Sequence, residues 1–409
     1  MIKPLTFCLS LILSLLIFPV YSKEKNQLAA HHINPCIENI STISSFGILS
    51  LSMCDITDED IPDLVSAVNE SDARRLYLHY NNIGPHGAEL LLNLENISDL
   101  DLSNNPIGDL GAGFLAKSTK LNTLFLDNSQ ITDEGVKALA ENPRLNYLAL
   151  GNNKLTINAV KALTNKPMYG LYLGYNHLGS DALELISQTS IQALDLSGND
   201  IGIEGATILA NMPVQFLILN NNPLGNEGAK ILAKIRSLNY LSVSSSSIGL
   251  EGLIALSQLP DLSNLIINNN YIGAEGAEIL GNMPSLFRLD ADNNQIGDNG
   301  AVSLANSKSI HMLSLARNVL SDKAALALAS NSNLFILDVS DNSIGEVGIN
   351  ALNNSEHLGT LIAWGNWGYT CEKLINKHHN MKLTSSNSWC LNHHPREFCM
   401  KNMTRSVKK

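Results

Sequence analysis

The sequence predicts an α/β solenoid, in which a parallel sheet of short strands lines the concave face of a horseshoe and helices cover the convex face. Three observations predict this fold. A nine-residue pattern, LxLxxNxIG, recurs along most of the 409-residue chain. Apart from a first interval of 27 residues, its copies follow one another every 23 or 24 residues. Each copy is followed by small and aliphatic residues with helical spacing.

The first part of each copy predicts a short strand and a turn. Its first leucine, or the equivalent residue, stands at 49, 76, 100, 124, 148, 171, 194, 217, 241, 265, 289, 313, 337 and 361. The two leucines of LxL point to one side of a strand and their neighbours to the other, so one face is buried. The asparagine five residues after the first leucine, here called the rung, can bond open backbone groups of neighbouring coils. Cys54, Ser129 and Ser246 take the rung position in three repeats.

The second part of each copy predicts a helix. The rung is followed by a core Ile or Leu and then by Gly, Thr132, Thr156 or Ser321, which overlap with the residues that helix N-caps favour. A run such as Gly205-Ala206-Thr-Ile-Leu209-Ala210 follows. Its small residues let adjacent helices approach, and its leucine packs on the sheet. No unit can bury its apolar face alone, so stacking must stabilise the chain.

This pattern resembles the leucine-rich repeat. The resemblance is greatest to the ribonuclease-inhibitor-like class and, within it, to the short GALA-type repeats of secreted bacterial effectors. It covers roughly residues 49–368, about 14 repeats. The resemblance indicates the fold more narrowly than the function, because such folds carry many unrelated binding tasks.

The ends of the chain differ from the repeats. Lys3 precedes an apolar run from Leu5 to Val20, a pattern typical of a secretory signal cleaved after Ser22. A membrane anchor is the alternative, but about sixteen apolar residues are fewer than a bilayer span needs. We therefore expect a secreted protein, extracellular or periplasmic, without a membrane span. The predicted organisation is a signal peptide (1–22), an N-terminal cap (23–48), the repeat domain (49–368) and a basic Cys/His-containing cap and tail (369–409).

The positions of the cysteines agree with a secreted protein. Loss of the signal peptide removes Cys8 and leaves five cysteines where disulfides can form. The disulfide candidates lie at the two ends and are Cys36, Cys371, Cys390 and Cys399. We expect Cys54 to stay free, because a buried thiol is a normal occupant of the rung position. A metal site is the alternative for the C-terminal cysteines and histidines. However, this segment has no closely spaced cysteine pair of the kind that structural zinc sites contain.

Charge and motifs exclude several functions. The formal net charge is -11, although the last 39 residues carry eight basic and two acidic side chains. An acidic body argues against nucleic acid and favours a basic partner. The sequence contains no zinc-binding His-Glu-x-x-His, phosphate-binding glycine loop, nucleophile elbow or dinucleotide fingerprint. We therefore predict no catalytic residue, cofactor or metal, with enzymatic or metal-binding activity of the C-terminal segment as the alternative.

The strand residues that point away from the core predict the binding surface. They lie one residue before, one after and three after each first leucine, and many are aromatic or acidic. Aromatic side chains on an open sheet favour protein contacts. The candidate contact residues are Tyr77, Phe125, Asp127, Tyr147, Tyr172, Asp195, Phe216, Ile218 and Tyr240. The sequence thus predicts a module that binds a protein or peptide, for instance a bacterial effector acting on a host or an inhibitor of a basic hydrolase.

Overall fold

The computed structural model describes residues 33–38, 40 and 47–367. Residues 33–366 form one compact unit, and of the second unit, residues 1–32 and 367–409, only Trp367 is described. The expected signal peptide lies outside the described residues. So do the expected C-terminal cap and its cysteines.

Fourteen short strands form a single open parallel sheet in chain order. They are β1 Ile48–Ser50, β2 Arg75–Tyr77, β3 Asp99–Asp101, β4 Thr123–Phe125, β5 Tyr147–Ala149, β6 Gly170–Tyr172, β7 Ala193–Asp195, β8 Phe216–Ile218, β9 Tyr240–Ser242, β10 Asn264–Ile266, β11 Arg288–Asp290, β12 Met312–Ser314, β13 Ile336–Asp338 and β14 Thr360–Ile362. The register pairs each first leucine with the next, as Leu76 pairs with Leu100. Side chains of equivalent repeat positions therefore lie in rows across the sheet.

A helix follows thirteen of these strands, and a short helix precedes the first. The helices are α1 Pro35–Glu38, α2 Ile61–Asn69, α3 Pro85–Leu90, α4 Gly108–Leu115, α5 Asp133–Ala140, α6 Ile157–Leu163, α7 Gly179–Ile186, α8 Ile203–Leu209, α9 Gly225–Leu232, α10 Leu250–Leu256, α11 Gly273–Gly281, α12 Gly297–Ala305, α13 Asp322–Ala329 and α14 Glu346–Asn354. The open parallel sheet alternating with helices is the predicted solenoid. The predicted fold class is thus confirmed.

The helix N-termini follow the sequence prediction and add a second ladder. Thr132, Thr156 and Ser321 cap their helices with side-chain oxygens, as predicted. The repeat pattern did not predict the role of the aspartate in the first turn of several of these helices. Asp109 in α4 accepts hydrogen bonds from the backbone N–H of Thr132, at 2.7 Å, and of Gly135, at 3.1 Å. One coil therefore satisfies the open N–H groups of the next helix.

The rung asparagines behave as predicted and bridge adjacent coils. Asn199 is fully buried. Its Oδ1 accepts from the backbone N–H groups of Asn176, at 3.3 Å, and Leu178, at 3.0 Å. Its Nδ2 donates to the backbone oxygens of Leu173, at 2.9 Å, and Ser197, at 3.1 Å. Every hydrogen-bonding site of the amide is used, so polar backbone inside the solenoid stays paired.

At the N-terminal end, the structure differs from the expectation for Cys54. The structure pairs Cys36, in α1, with Cys54 in a disulfide. The expectation that Cys54 stays free is therefore wrong. The physical reason is that the first coil is the open end of the solenoid, so a residue before the repeats can reach its rung. Asn34 reaches the same place and donates from Nδ2 to the backbone oxygen of Cys54 at 3.0 Å.

Candidate functional site

We call the open side of the sheet, formed by residues one before, one after and three after each first leucine, the concave face. The nine candidate contact residues all lie on it and are half-buried; they are Tyr77, Phe125, Asp127, Tyr147, Tyr172, Asp195, Phe216, Ile218 and Tyr240. They extend from β2 to β9, and Tyr77 lies two strands before Phe125. The site is therefore a long stretch of sheet rather than one cluster.

Three of the predicted aromatic residues have rings that contact one another in sequence across the sheet. The rings of Phe216 and Tyr240 are stacked with centroids 4.0 Å apart, because these residues pair in register on β8 and β9. Tyr172 on β6 lies edge-on to Phe216 at 6.4 Å. The intervening strand β7 places only the methyl group of Ala193 opposite Phe216. Together these rings form an apolar strip across four strands, which belong to what we call the central section, β4–β9.

The ring of Tyr147, another predicted contact residue, packs on a glycine. A Cβ atom on Gly170 would lie 2.5 Å from ring carbon Cδ1 of Tyr147, so this ring rests on the backbone of β6. The ring of Tyr169 lies 5.2 Å from that of Tyr147. Tyr169 was not predicted, since it stands two residues before its first leucine and outside the positions counted. The glycine in a strand between two tyrosines was the available signal.

Asp127 is an acid of the central section whose pKa is strongly raised. Its Oδ1 accepts from the backbone N–H of Gly151 at 2.5 Å, and Ser103 donates to Oδ2 at 3.4 Å. The pKa of Asp127 is raised to about 7, mainly by burial and in smaller part by the nearby carboxylates of Asp101 and Asp195. The two hydrogen bonds oppose the effect without cancelling it. The carboxyl group therefore titrates near neutral pH.

Asp195 resembles Asp127. It accepts from the N–H of Ser197 at 2.8 Å and from its hydroxyl at 2.7 Å, while burial raises its pKa. Other aspartates on or beside the concave face have a basic side chain nearby, namely Asp99 with Arg75 at 3.9 Å, Asp101 with His79 at 3.0 Å, Asp290 with Arg288 at 2.6 Å and Asp341 with Arg317 at 3.1 Å. Within residues 47–367, no basic side chain forms an ion pair with Asp127 or Asp195.

A serine, a histidine and an aspartate meet at the N-terminal end of the face. His79 Nδ1 lies 3.0 Å from Ser52 Oγ and also 3.0 Å from Asp101 Oδ2. A catalytic triad needs the two ring nitrogens in separate roles, one toward the nucleophile and one toward the carboxylate. Here both contacts fall on one nitrogen. The arrangement therefore orients polar side chains and lacks the geometry of a catalytic triad.

A second aromatic cluster lies at the border of the sheet, in what we call the C-terminal section, β11–β13. The rings of Phe287 and His311 are stacked 4.8 Å apart, and Phe335 lies over Gly359. Phe287 is 44% exposed and Phe335 is 59% exposed. Both stand two residues before a first leucine, so the sequence analysis missed them as it missed Tyr169.

The described residues also bear on metal binding and on membrane insertion. No group of three or more His, Cys, Asp or Glu side chains among them could hold a metal ion. None of their helices is both long and apolar enough to cross a bilayer. The C-terminal cysteines and histidines that form the alternative metal site lie outside these residues.

Comparison with known proteins identifies the class. The Leucine Rich repeat family model matches seven stretches of the chain, 93–116, 117–140, 187–210, 210–233, 234–257, 284–305 and 330–352. A crystal structure of an internalin from Listeria monocytogenes aligns with 80% of this chain and 88% of that chain, at 21% identity and a TM-score of 0.47. No curated protein matches.

The repeat matches and the open sheet of fourteen parallel strands define the family. The chain is a leucine-rich repeat protein. Such repeats form a protein–protein interaction module, a scaffold that is typically not enzymatic. The ribonuclease-inhibitor-like subclass stays a prediction.

Proposed function

We propose that this protein is a secreted module that binds a basic protein or peptide on its concave face. The observation that carries the proposal is the strip formed by Tyr172, Phe216 and Tyr240 beside two acids without a basic partner of their own. Half-buried rings on an open sheet are typical anchors of protein interfaces. Buried carboxylates without a counter-ion favour a positively charged partner.

Secretion belongs to the same proposal. The apolar run from Leu5 to Val20 supports a signal peptide at 1–22, and the Cys36–Cys54 disulfide supports an oxidising compartment. The remaining boundaries stay as proposed, with caps at 23–48 and 369–409 around the repeat domain at 49–368. A bacterial effector that acts on a host protein and an inhibitor of a basic hydrolase both fit this description.

Selection of peptides tests the proposal. A random peptide library is selected on the immobilised chain and, in parallel, on the Tyr147→Ala/Tyr172→Ala variant. The proposal expects peptides that combine Lys or Arg with apolar residues on the native chain and their loss on the variant. Enrichment of acidic peptides, or equal recovery on both chains, would overturn it.

A further inference from the structure

The residue just before each rung has a left-handed backbone in all fourteen coils of the described solenoid, with φ between 51° and 75°. Asparagine and glycine, which tolerate this conformation best, take most of these positions. Tyr80 and Tyr175 take two of them, at φ of 56° and 58°. A bulky aromatic residue is strained there, and such strain clusters at functional sites. Stability therefore does not explain the two tyrosines.

The ring of Tyr175 is held in place by the next two coils. In the first of them, a Cβ atom on Gly198 would clash with ring carbons Cδ1 and Cε1, so the ring packs on the glycine backbone. In the second, Asn221 donates from Nδ2 to the phenol oxygen at 2.6 Å. Tyr175 is nevertheless 49% exposed. A ring whose position is fixed in advance therefore presents surface to the solvent, which lowers the cost of binding.

Three asparagines fill the coils between the two tyrosines. Asn128 donates from Nδ2 to Asn104 Oδ1 at 2.9 Å, and Asn152 donates from Nδ2 to Asn128 Oδ1 at 3.3 Å. These bonds align the amides and leave Asn152 Oδ1 without a donor among the described residues. We call this row the polar ledge, formed by Tyr80, Asn104, Asn128, Asn152, Tyr175, Gly198 and Asn221. The coils are spaced by about 4.8 Å, so the two tyrosines lie about 19 Å apart along the ledge.

The polar ledge has the chemistry that recognises a neutral sugar chain. The face of an aromatic ring is negative, so it attracts the positively polarised C–H groups on the face of a pyranose ring. A sugar hydroxyl both donates and accepts hydrogen bonds, and an asparagine amide offers both roles. The ledge side chains carry no charge, and the exposed pair beside them, His177 and Asp200, lies 3.5 Å apart. A charged ligand would therefore meet no counter-charge along the ledge.

We infer that the polar ledge binds a neutral, linear oligosaccharide, with one sugar ring against Tyr175, another against Tyr80 and the hydroxyl groups on the asparagine amides. The distance between the tyrosines favours an extended chain. Equatorial linkages keep a sugar chain extended and expose C–H groups on both of its faces. This inference goes beyond the proposed function, because the ledge lies one residue beyond the concave face and takes a ligand of another class.

Calorimetric titration with cellohexaose and chitohexaose tests the inference, with maltohexaose as a curved neutral control and hexagalacturonate as a charged one. The test variant is Tyr80→Asn/Tyr175→Asn, which gives two coils the commonest residue of this position and should fold at least as well. A second variant, Asn128→Gly, interrupts the amides and keeps both rings, since glycine accepts a positive φ. The matched control is Tyr271→Asn, which removes a tyrosine that is 65% exposed and lies outside the ledge.

We expect the native chain and Tyr271→Asn to bind cellohexaose or chitohexaose with a Kd below about 1 mM, and the test variant to lose at least tenfold in affinity. Asn128→Gly should weaken binding severalfold, and the thermal midpoint of the test variant should not fall. Equal affinities of the test and control variants, equal or tighter binding of maltohexaose or hexagalacturonate, or no binding of either test sugar below about 10 mM would overturn the inference. So would a ledge variant that loses peptides selected on the native chain instead of sugars. None of these results bears on the concave face, which the tyrosine pair Tyr147 and Tyr172 tests separately.

Discussion

The central and C-terminal sections of the concave face differ in whether one of their acids is paired with a basic side chain of the same chain. In the C-terminal section, the guanidinium group of Arg288 donates to both carboxylate oxygens of Asp290, at 3.1 and 2.6 Å. In the central section, Asp127 and Asp195 are satisfied only by N–H and hydroxyl donors. The first arrangement neutralises charge within the chain, and the second leaves negative charge for a partner. This comparison supports our proposal that the central section is the part of the face that binds a partner.

Buried acids without an ion pair also occur in the described part of the C-terminal section, where burial raises the pKa of Asp338 and of Asp292. Burial raises the pKa of Asp292 to about 6, and Ser314 donates to its Oδ1 at 2.6 Å. One residue before the first leucine, β12 and β13 of its section place Met312 and Ile336 on the concave face, and neither is aromatic. The central section differs in combining acids of raised pKa with stacked rings on the face itself. That combination, rather than acidity, supports the assignment.

The largest expected effect is on partner binding. Changing Tyr147 and Tyr172 together to Ala should weaken binding by roughly 2 kcal/mol or more, because both rings lie on the central section. The measurement is a titration against a peptide selected on the native chain. Phe287→Ala/Phe335→Ala removes two exposed rings from the C-terminal section and should leave affinity within about twofold. If this control weakens binding as much as the tyrosine pair does, the comparison is wrong.

The next largest effect is on stability, and it comes from a buried rung asparagine rather than from the concave face. Asn199→Leu should lower the free energy of unfolding by about 1 to 3 kcal/mol, because backbone groups of Asn176, Leu178 and Leu173 lose their partner inside the solenoid. Chemical denaturation measures the change. Asn211→Leu, at an exposed position after α8, should be nearly neutral. An unchanged midpoint for Asn199→Leu would contradict the role of the rung.

The helix ladder should contribute less than the rung. Asp109→Ala removes the acceptor of the Thr132 and Gly135 N–H groups and should cost about 1 kcal/mol of stability. Asp181→Ala changes an exposed aspartate in the first turn of α7 and serves as the control. Equal thermal midpoints of the two variants would show that the inter-coil bonds add nothing to stability.

The smallest effect is a pH dependence. Because folding raises the pKa of Asp127 to about 7, its ionisation costs stability as pH rises from about 4 to 7, and the cost is complete above 7. Asp127→Asn should therefore stabilise the protein by about 1 kcal/mol more at pH 8 than at pH 4, since water partly screens this half-buried group. Denaturation at both pH values measures it, and a larger gain at pH 4 would contradict the sign.

Much of the fold could be predicted because each repeat position has one physical task. The leucines and the rung asparagines keep the same role in each coil that has them, and Thr132, Thr156 and Ser321 take one equivalent cap position in three coils, so spacing alone locates them. Spacing did not predict the state of Cys54, because this residue lies at the open end of the solenoid. There Cys36, which lies before the repeats, forms a disulfide with it. Spacing also missed Asp109, because it does not show which neighbouring coil a carboxylate contacts.

The candidate site was predictable only in part. Strand alternation placed Tyr172, Phe216 and Tyr240 on one face, and in the structure Phe216 stacks on Tyr240 and lies edge-on to Tyr172. Alternation could not show that the ring of Tyr147 packs on Gly170 or that the carboxylate of Asp127 packs on Gly151. Such contacts depend on register between coils 23 or 24 residues apart, which a single repeat does not reveal.

Site-directed photo-crosslinking tests the central claim most directly. Benzoylphenylalanine replaces Phe216 in the central section in one variant and Phe335 at the border of the C-terminal section in another, and each is irradiated with a peptide selected on the native chain. Both substitutions keep an aromatic side chain at the position. We expect a crosslinked product from position 216 and none from position 335. Crosslinking from 335 alone would contradict the assignment of the central section as the binding site.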